Sequence, residues 1–265
     1  RKIMADAGEK QVPEIEDVNP DNPQSEKADE KPGESKAEEP EEGQQPDSPV
    51  VSELEKFWKA VKDNPGDFTG WTYLLQYVEQ EDKVEPAREA FSAFLKKYPY
   101  CYGYWKKFAD LEKKHGNSDK AEEVFECGVQ NVPLSVDLWI HYINFCISKY
   151  EKDDKVSLDK RIRRLFEKAI SACGTDFRSD KLWDKYIAWE KERDIRNVTE
   201  IYDRLLGIPT QLYSYHFDNF KKHVESNMPK DIISTDEFLQ LRQDYVKESG
   251  GGDGPSPVED EGPQG

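Results

Sequence analysis

Between residues 52 and 247, apolar side chains recur three and four positions apart, in short runs divided by polar breaks. From Trp71 the run holds Leu74, Leu75 and Tyr77/Val78. From Trp105 it holds Phe108, Ala109 and Leu111. From Trp139 it holds Tyr142, Ile143, Phe145 and Cys146, and from Trp183 Tyr186, Ile187 and Trp189. A second set alternates with the first: Ala87, Ala90, Phe91, Phe94 and Leu95; then Ala121, Val124, Phe125 and Val129; then Ile162, Leu165, Phe166, Ala169 and Ile170; then Val198, Ile201, Tyr202, Leu205 and Leu206. Spacing of i, i+3 and i+4 puts such residues on one stripe of a helix. The pattern predicts helices over 52–63, 68–80, 84–97, 102–115, 118–131, 136–149, 158–172, 180–193, 195–206, 211–226 and 235–247.

The breaks are punctuated as helix ends should be. "SELE" from Ser52 is a capping box that opens the first helix. Gly116 is a stop, with Asn117 or Ser118 as the next N-cap, and Ser234 caps the last helix. Pro65, Pro99 and Pro133 each close a helix, because Pro cannot donate to the helical ladder and biases the residue before it to extended geometry.

These marks repeat. Phe57, Phe91 and Phe125 are 34 residues apart, as are Pro65, Pro99 and Pro133, and Trp71, Trp105 and Trp139. The next Trp, Trp183, stands 44 on. The ten extra residues are assigned to the polar stretch "SKYEKDDKVSLDK", read as a lengthened loop. Phe166 and Tyr202 continue the Phe position, and Pro209 with Tyr215 repeats the Pro-to-aromatic step of six. Each unit is a helix, a turn and a second helix, which cannot bury its apolar faces alone. Stacking the units in one direction builds a continuous core. The expected fold is all-α, an α-solenoid of helix-turn-helix repeats.

Charge separates this array from its flanks. The chain of 265 residues carries a net charge of −17. Residues 1–51 contribute −9 and residues 248–265 contribute −5, so the middle is close to balanced. Residues 1–51 hold no aromatic residue, and both ends are rich in Glu, Pro, Gly and Ser. Such segments cannot offset the cost of ordering a backbone, and both read as disordered acidic tails. The expected domains are therefore a tail over 1–51, the repeat array over 52–247 and a second tail over 248–265.

The array resembles the half-a-TPR (HAT) repeat family. Its first helices are aromatic-rich and close on an acid, as in "WTYLLQYVEQE", "WKKFADLE" and "WDKYIAWE"; "WIHYINF" lacks the acid. Its second helices read "AREAFSAFLKKYP", "AEEVFECGVQNVP" and "RIRRLFEKAI". The Leu-Gly of tetratricopeptide repeats is missing. Over the whole of 52–247 these segments are similar to the N-terminal repeat domain of the pre-mRNA-processing factor 39 family. That resemblance implies a nuclear scaffold in pre-mRNA splicing, with proteins of the U1 small nuclear ribonucleoprotein as partners at 5′ splice-site recognition. It also implies a second, C-terminal array used in dimerisation, so a homodimer is expected of longer family members rather than of this chain. The other readings are a direct RNA-binding protein, or a HAT scaffold in mRNA 3′-end cleavage and polyadenylation or in ribosomal RNA processing.

Candidate chemistry is sparse. His115, His141, His216 and His223 are scattered, and Cys101, Cys127, Cys146 and Cys173 form no CxxC pair. No catalytic residue, cofactor or metal is expected, nor a membrane-spanning segment. Trp71, Trp105, Trp139 and Trp183 are read as core residues rather than as a base-stacking platform. Tyr100, Tyr102 and Tyr104 sit at a turn, where they can face a partner. Lys160, Arg161, Arg163, Arg164 and Lys168 form the one dense basic cluster, a candidate contact for RNA phosphate or an acidic partner. Ser48-Pro49 and Ser256-Pro257 match proline-directed phosphorylation, a pattern common by chance.

Overall fold

The computed structural model describes residues 52–248. The acidic ends, with their Ser-Pro pairs, lie outside the described residues. Among the described residues twelve helices follow one another: α1 (Glu53–Asp63), α2 (Phe68–Glu81), α3 (Val84–Lys97), α4 (Tyr102–Lys114), α5 (Ser118–Asn131), α6 (Val136–Lys149), α7 (Lys155–Cys173), α8 (Asp180–Lys191), α9 (Ile195–Leu206), α10 (Tyr213–Ser226), α11 (Pro229–Ile232) and α12 (Thr235–Glu248). No strand occurs among the described residues. Successive helices from α1 to α10 pack on each other, α11 packs on α9 and α12, and α4 touches α6 as α6 touches α8. The array is an all-α solenoid advancing in one direction.

The local chemistry of the ends is as the residue types demand. Ser52 accepts from the Glu55 amide while Glu55 reaches back to the Ser52 amide. Gly116 takes a φ of +79°, the left-handed geometry that glycine adopts without strain. Ser234 accepts from the Glu237 amide at 3.1 Å. Asn117 occupies an N-cap position but makes no capping bond with its side chain.

The Pro-to-Trp step of six has a specific cause. The indole Nε1 of Trp71 donates to the Pro65 carbonyl at 3.1 Å. Trp105 donates to the Pro99 carbonyl at 2.8 Å, and Trp139 to the Pro133 carbonyl at 2.9 Å. The buried N–H thus finds the carbonyl of the turn that precedes its own helix, as a buried indole requires. The Phe step has a cause too. Phe91 stacks on Phe108, Phe125 on Tyr142 and Phe166 on Tyr186, with ring planes within 13° and centroids 4.5 to 5.6 Å apart. In each case the partner lies three residues past the Trp of the following helix. Trp71 is followed at that place by Leu74, so Phe57 turns instead to Tyr77, 5.1 Å away.

The extra ten residues are divided differently from the expectation. Phe125 to Phe166 is 41 residues, seven more than the period, and the remaining three fall between Phe166 and Trp183. Much of the seven is helix rather than loop, because α7 begins at Lys155. The three lengthen the turn between α7 and α8. Accordingly Trp183 reaches nine residues back, to the Gly174 carbonyl at 2.9 Å, instead of six.

The last unit departs from the expectation as well. Tyr202 is buried, but Tyr215 is exposed, and the inward place belongs to His216, which is 1% exposed. Its Nε2 lies 2.8 Å from Asp180 Oδ1. A polar side chain is tolerated there because a buried carboxylate from α8 meets it.

One glycine marks a close helix crossing. A Cβ at Gly128 in α5 would lie 3.0 Å from Trp105 Cβ and 3.2 Å from Leu138 Cδ2. Gly103, near the start of α4, has open space around it. Gly103→Ala should therefore stabilise by about 0.5–1 kcal/mol through helix propensity. Gly128→Ala should instead destabilise by about 1–3 kcal/mol, because overpacking outweighs that gain. Urea titration of both variants checks the opposite signs.

Candidate interaction surface

The polar residues that cross between helices fall in register. One column is the residue after the first buried position of each second helix: Arg88, Glu122, Arg163 and Thr199. The other lies seven residues past Trp105, Trp139, Trp183 and His216: Glu112, Cys146, Glu190 and His223. Arg88 grips Glu112 with two bonds, of 2.6 and 2.8 Å. Arg163 grips Glu190 with two bonds from its guanidinium. Thr199 Oγ1 meets His223 Nε2 at 2.9 Å. Glu122 faces Cys146 and takes its cation from Lys149 at 2.6 Å, with the Tyr150 hydroxyl donating at 2.5 Å. The two columns thus meet in two Arg–Glu pairs and two variants of them.

Burial gives these pairs their character. Glu112 and Glu190 are buried. The hydrogen bonds from Arg88 hold the Glu112 carboxyl below the usual range, against the opposing effect of burial. Burial, with Glu122 beside it, pushes the Cys146 thiol up to about 12, so it is an inert core residue and not a nucleophile. Burial lowers the His223 imidazole, with the Lys191 charge adding to it. Asp180 is held below its usual range despite burial, because His216 and the Leu212 amide bond to it.

The basic cluster divides. Arg163 is bound to the buried Glu190 and keeps part of its side chain at the surface. Lys160, Arg161, Arg164 and Lys168 line a groove between α5, α6 and α7. Arg161 lies over the Tyr150 ring at 4.1 Å from its centroid. Across the groove stand Glu122 and Glu126 of α5, with Tyr142 donating to Glu126 at 3.1 Å. Phe57, Phe91, Phe125 and Phe166 and the four period Trp residues pack in or against the core. Pro65, Pro133 and Pro209 are exposed at turns, Pro99 half so. Tyr104 packs on Phe94 at 4.6 Å, whereas Tyr100 and Tyr102 face solvent.

The acids of the Arg–Glu pairs were visible in the sequence as helix-closing residues, but their partners were not. In the first unit the closing acid is displaced by one, and Glu79 lies 3.4 Å from Lys107 at the surface instead. Among the described residues there is no cluster of metal-ligating side chains, and no helix is long and apolar enough to cross a membrane.

Comparison with known proteins identifies the repeats. The family described as PRP39 N-terminal HAT repeat matches residues 55–222. Pre-mRNA-processing factor 39 of Mus musculus is 57% identical over 206 residues, covering 77% of this chain and 31% of that protein. The Schizosaccharomyces pombe protein of the same name is 30% identical over 208 residues, covering 74% of this chain and 33% of that one. The chain thus spans about a third of the length of these relatives. Among solved structures, YrrB, a TPR protein with an unusual peptide-binding site, overlays with a TM-score of 0.35 at 13% identity, over 73% of this chain and 95% of that one. With its 34-residue period, its aromatic first helices and this match over most of the array, the chain belongs to the PRP39 N-terminal HAT-repeat family.

Proposed function

We propose that the array is a non-enzymatic scaffold in nuclear pre-mRNA splicing, holding proteins of the U1 small nuclear ribonucleoprotein during 5′ splice-site recognition. The names of its relatives support a role in pre-mRNA processing. The observation that carries the scaffold reading is how the RNA-like features are used. The period aromatics are spent on the core, and the basic run is interrupted: Arg163 is consumed by Glu190, and the remainder faces Glu122 and Glu126. A protein that neutralises several phosphates presents a continuous positive surface.

Direct RNA binding is the second reading, favoured by the exposed Lys160, Arg164 and Lys168. The two separate in a filter-binding assay with single-stranded RNA. The chain is expected to bind no tighter than about micromolar at physiological salt, the non-specific range. Residual binding should weaken in Lys160→Glu/Arg164→Glu/Lys168→Glu; Arg163 is avoided because reversing it would bury two like charges. In a pull-down from nuclear extract, proteins of the U1 particle should remain after RNase. Tight, sequence-selective RNA binding would overturn the scaffold reading. So would loss of those proteins after RNase while they stay assembled with one another.

A further inference from the structure

The groove between α5, α6 and α7 has a volume of about 420 Å³. One wall is the outer face of α7. Lys160, Arg164 and Lys168 stand four residues apart, so their charges repeat about every 6 Å along the helix. The ion pairs of α5 to α9 use Lys149, Arg163, Lys181, Arg193 and Arg204. They leave Lys160, Arg161, Arg164 and Lys168 without an ion-pair partner among the described residues. Four cations without an ion-pair partner therefore share one concave surface, with Asp153 at its rim before α7.

The opposite wall defines what fits. Glu122 holds Lys149 and the Tyr150 hydroxyl on one oxygen and faces the Cys146 thiol with the other, while Glu126 holds a single hydroxyl, that of Tyr142. Leu165 and Cys146 add apolar surface between the walls. A nucleic-acid strand carries only negative charge and would meet the carboxylates of α5 unfavourably. A peptide does not have this problem, because its backbone N–H groups can donate to Glu126 while its acidic side chains turn to α7. In an extended peptide, side chains on one face recur about every 6.6–6.8 Å, close to the repeat of the α7 cations.

We propose that this groove binds an extended acidic segment of a partner protein, with carboxylates at alternate positions directed at Lys160, Arg164 and Lys168. This deepens the scaffold reading by naming a contact surface, and it rests on that reading only for the partner's identity. The test uses a synthetic peptide, so its failure leaves the RNase pull-down result standing.

A fluorescein-labelled peptide of alternating Glu and Ser is titrated with the intact 265-residue chain at low salt, and anisotropy is read. Saturable binding is expected, weakened about tenfold in Lys160→Glu/Arg164→Glu/Lys168→Glu. The three side chains hold no other helix, so circular dichroism should be unchanged. Asp153→Asn, which removes a groove carboxylate that has no part in holding the peptide, should tighten binding several-fold, a gain that misfolding cannot imitate. Reversing Lys56, Lys59 and Lys62 on α1 should leave binding within about twofold. Equal loss from the α1 variant would mean diffuse electrostatics and would overturn the proposal. So would a uridylate oligomer binding more tightly than the peptide. If the intact chain ignores the peptide until its acidic runs at 38–42 and 259–261 are changed to Gln and Asn, the occupant is the chain itself and the partner assignment fails.

Discussion

Replacing Trp105 with alanine is expected to destabilise the array by about 3–5 kcal/mol, the range for a large buried aromatic. The indole fills the crossing of α4 and α5, where it lies against Gly128. It also donates to the Pro99 carbonyl at 2.8 Å, and that acceptor would lose its partner. Trp105→Phe separates the two contributions. It keeps most of the bulk and removes the donor, so a loss of about 1–2 kcal/mol is expected from an unsatisfied carbonyl and a smaller ring. Because repeats are coupled through nearest neighbours, the alanine variant should also unfold less cooperatively. Chemical denaturation checks both variants. A loss below about 1 kcal/mol for the alanine variant would contradict the buried position of the ring.

Removing one partner of the Arg88–Glu112 pair should be comparably severe. The Glu112 side chain is 2% exposed and that of Arg88 18%. Arg88→Ala strands a buried carboxylate, with an expected loss of about 3–5 kcal/mol. Replacing both residues, as Arg88→Met/Glu112→Leu, should be close to neutral, since the desolvation penalty goes with the pair. The pair also predicts a pH response. Glu112 is depressed in the folded state, so its contribution is complete above the unfolded glutamate value of about 4.3 and is lost as pH falls through the folded value. Stability measured from pH 7 down to about pH 3 should fall more steeply in the parent than in the double variant. Parallel curves would remove the pair from the list of acid-sensitive contacts.

Much of the architecture was readable because the residues that end helices are chemically distinct from those that fill them. Pro65, Pro99, Pro133 and Gly116 each mark a boundary that the backbone cannot ignore. What escaped was of three kinds. The single turn α11 is four residues long and has no stripe to detect. The division of the ten extra residues was hidden because one marker, Trp, cannot separate two insertions; the Phe interval separates them. His216 was missed because its place in the core depends on Asp180, 36 residues earlier, and an apolar pattern does not register a buried polar couple. The same holds for the candidate surface. The α7 cations were visible as a run, but only the register of the helices shows that Arg163 points to Glu190 while its neighbours share a groove with Glu126.

The indole clasps have a kinetic consequence. They close loops of only six to nine residues, and the polar couples between helices span 16 to 37. Stabilising links of such short reach impose little loop-closure entropy before they form. Folding should accordingly be fast for a chain of this length, as it is for proteins dominated by local contacts. Any adjacent helix pair can serve as a nucleus, with growth spreading outward along the solenoid. During synthesis, each turn can be clasped by its own tryptophan within a few residues of leaving the ribosome, well before the next repeat is made.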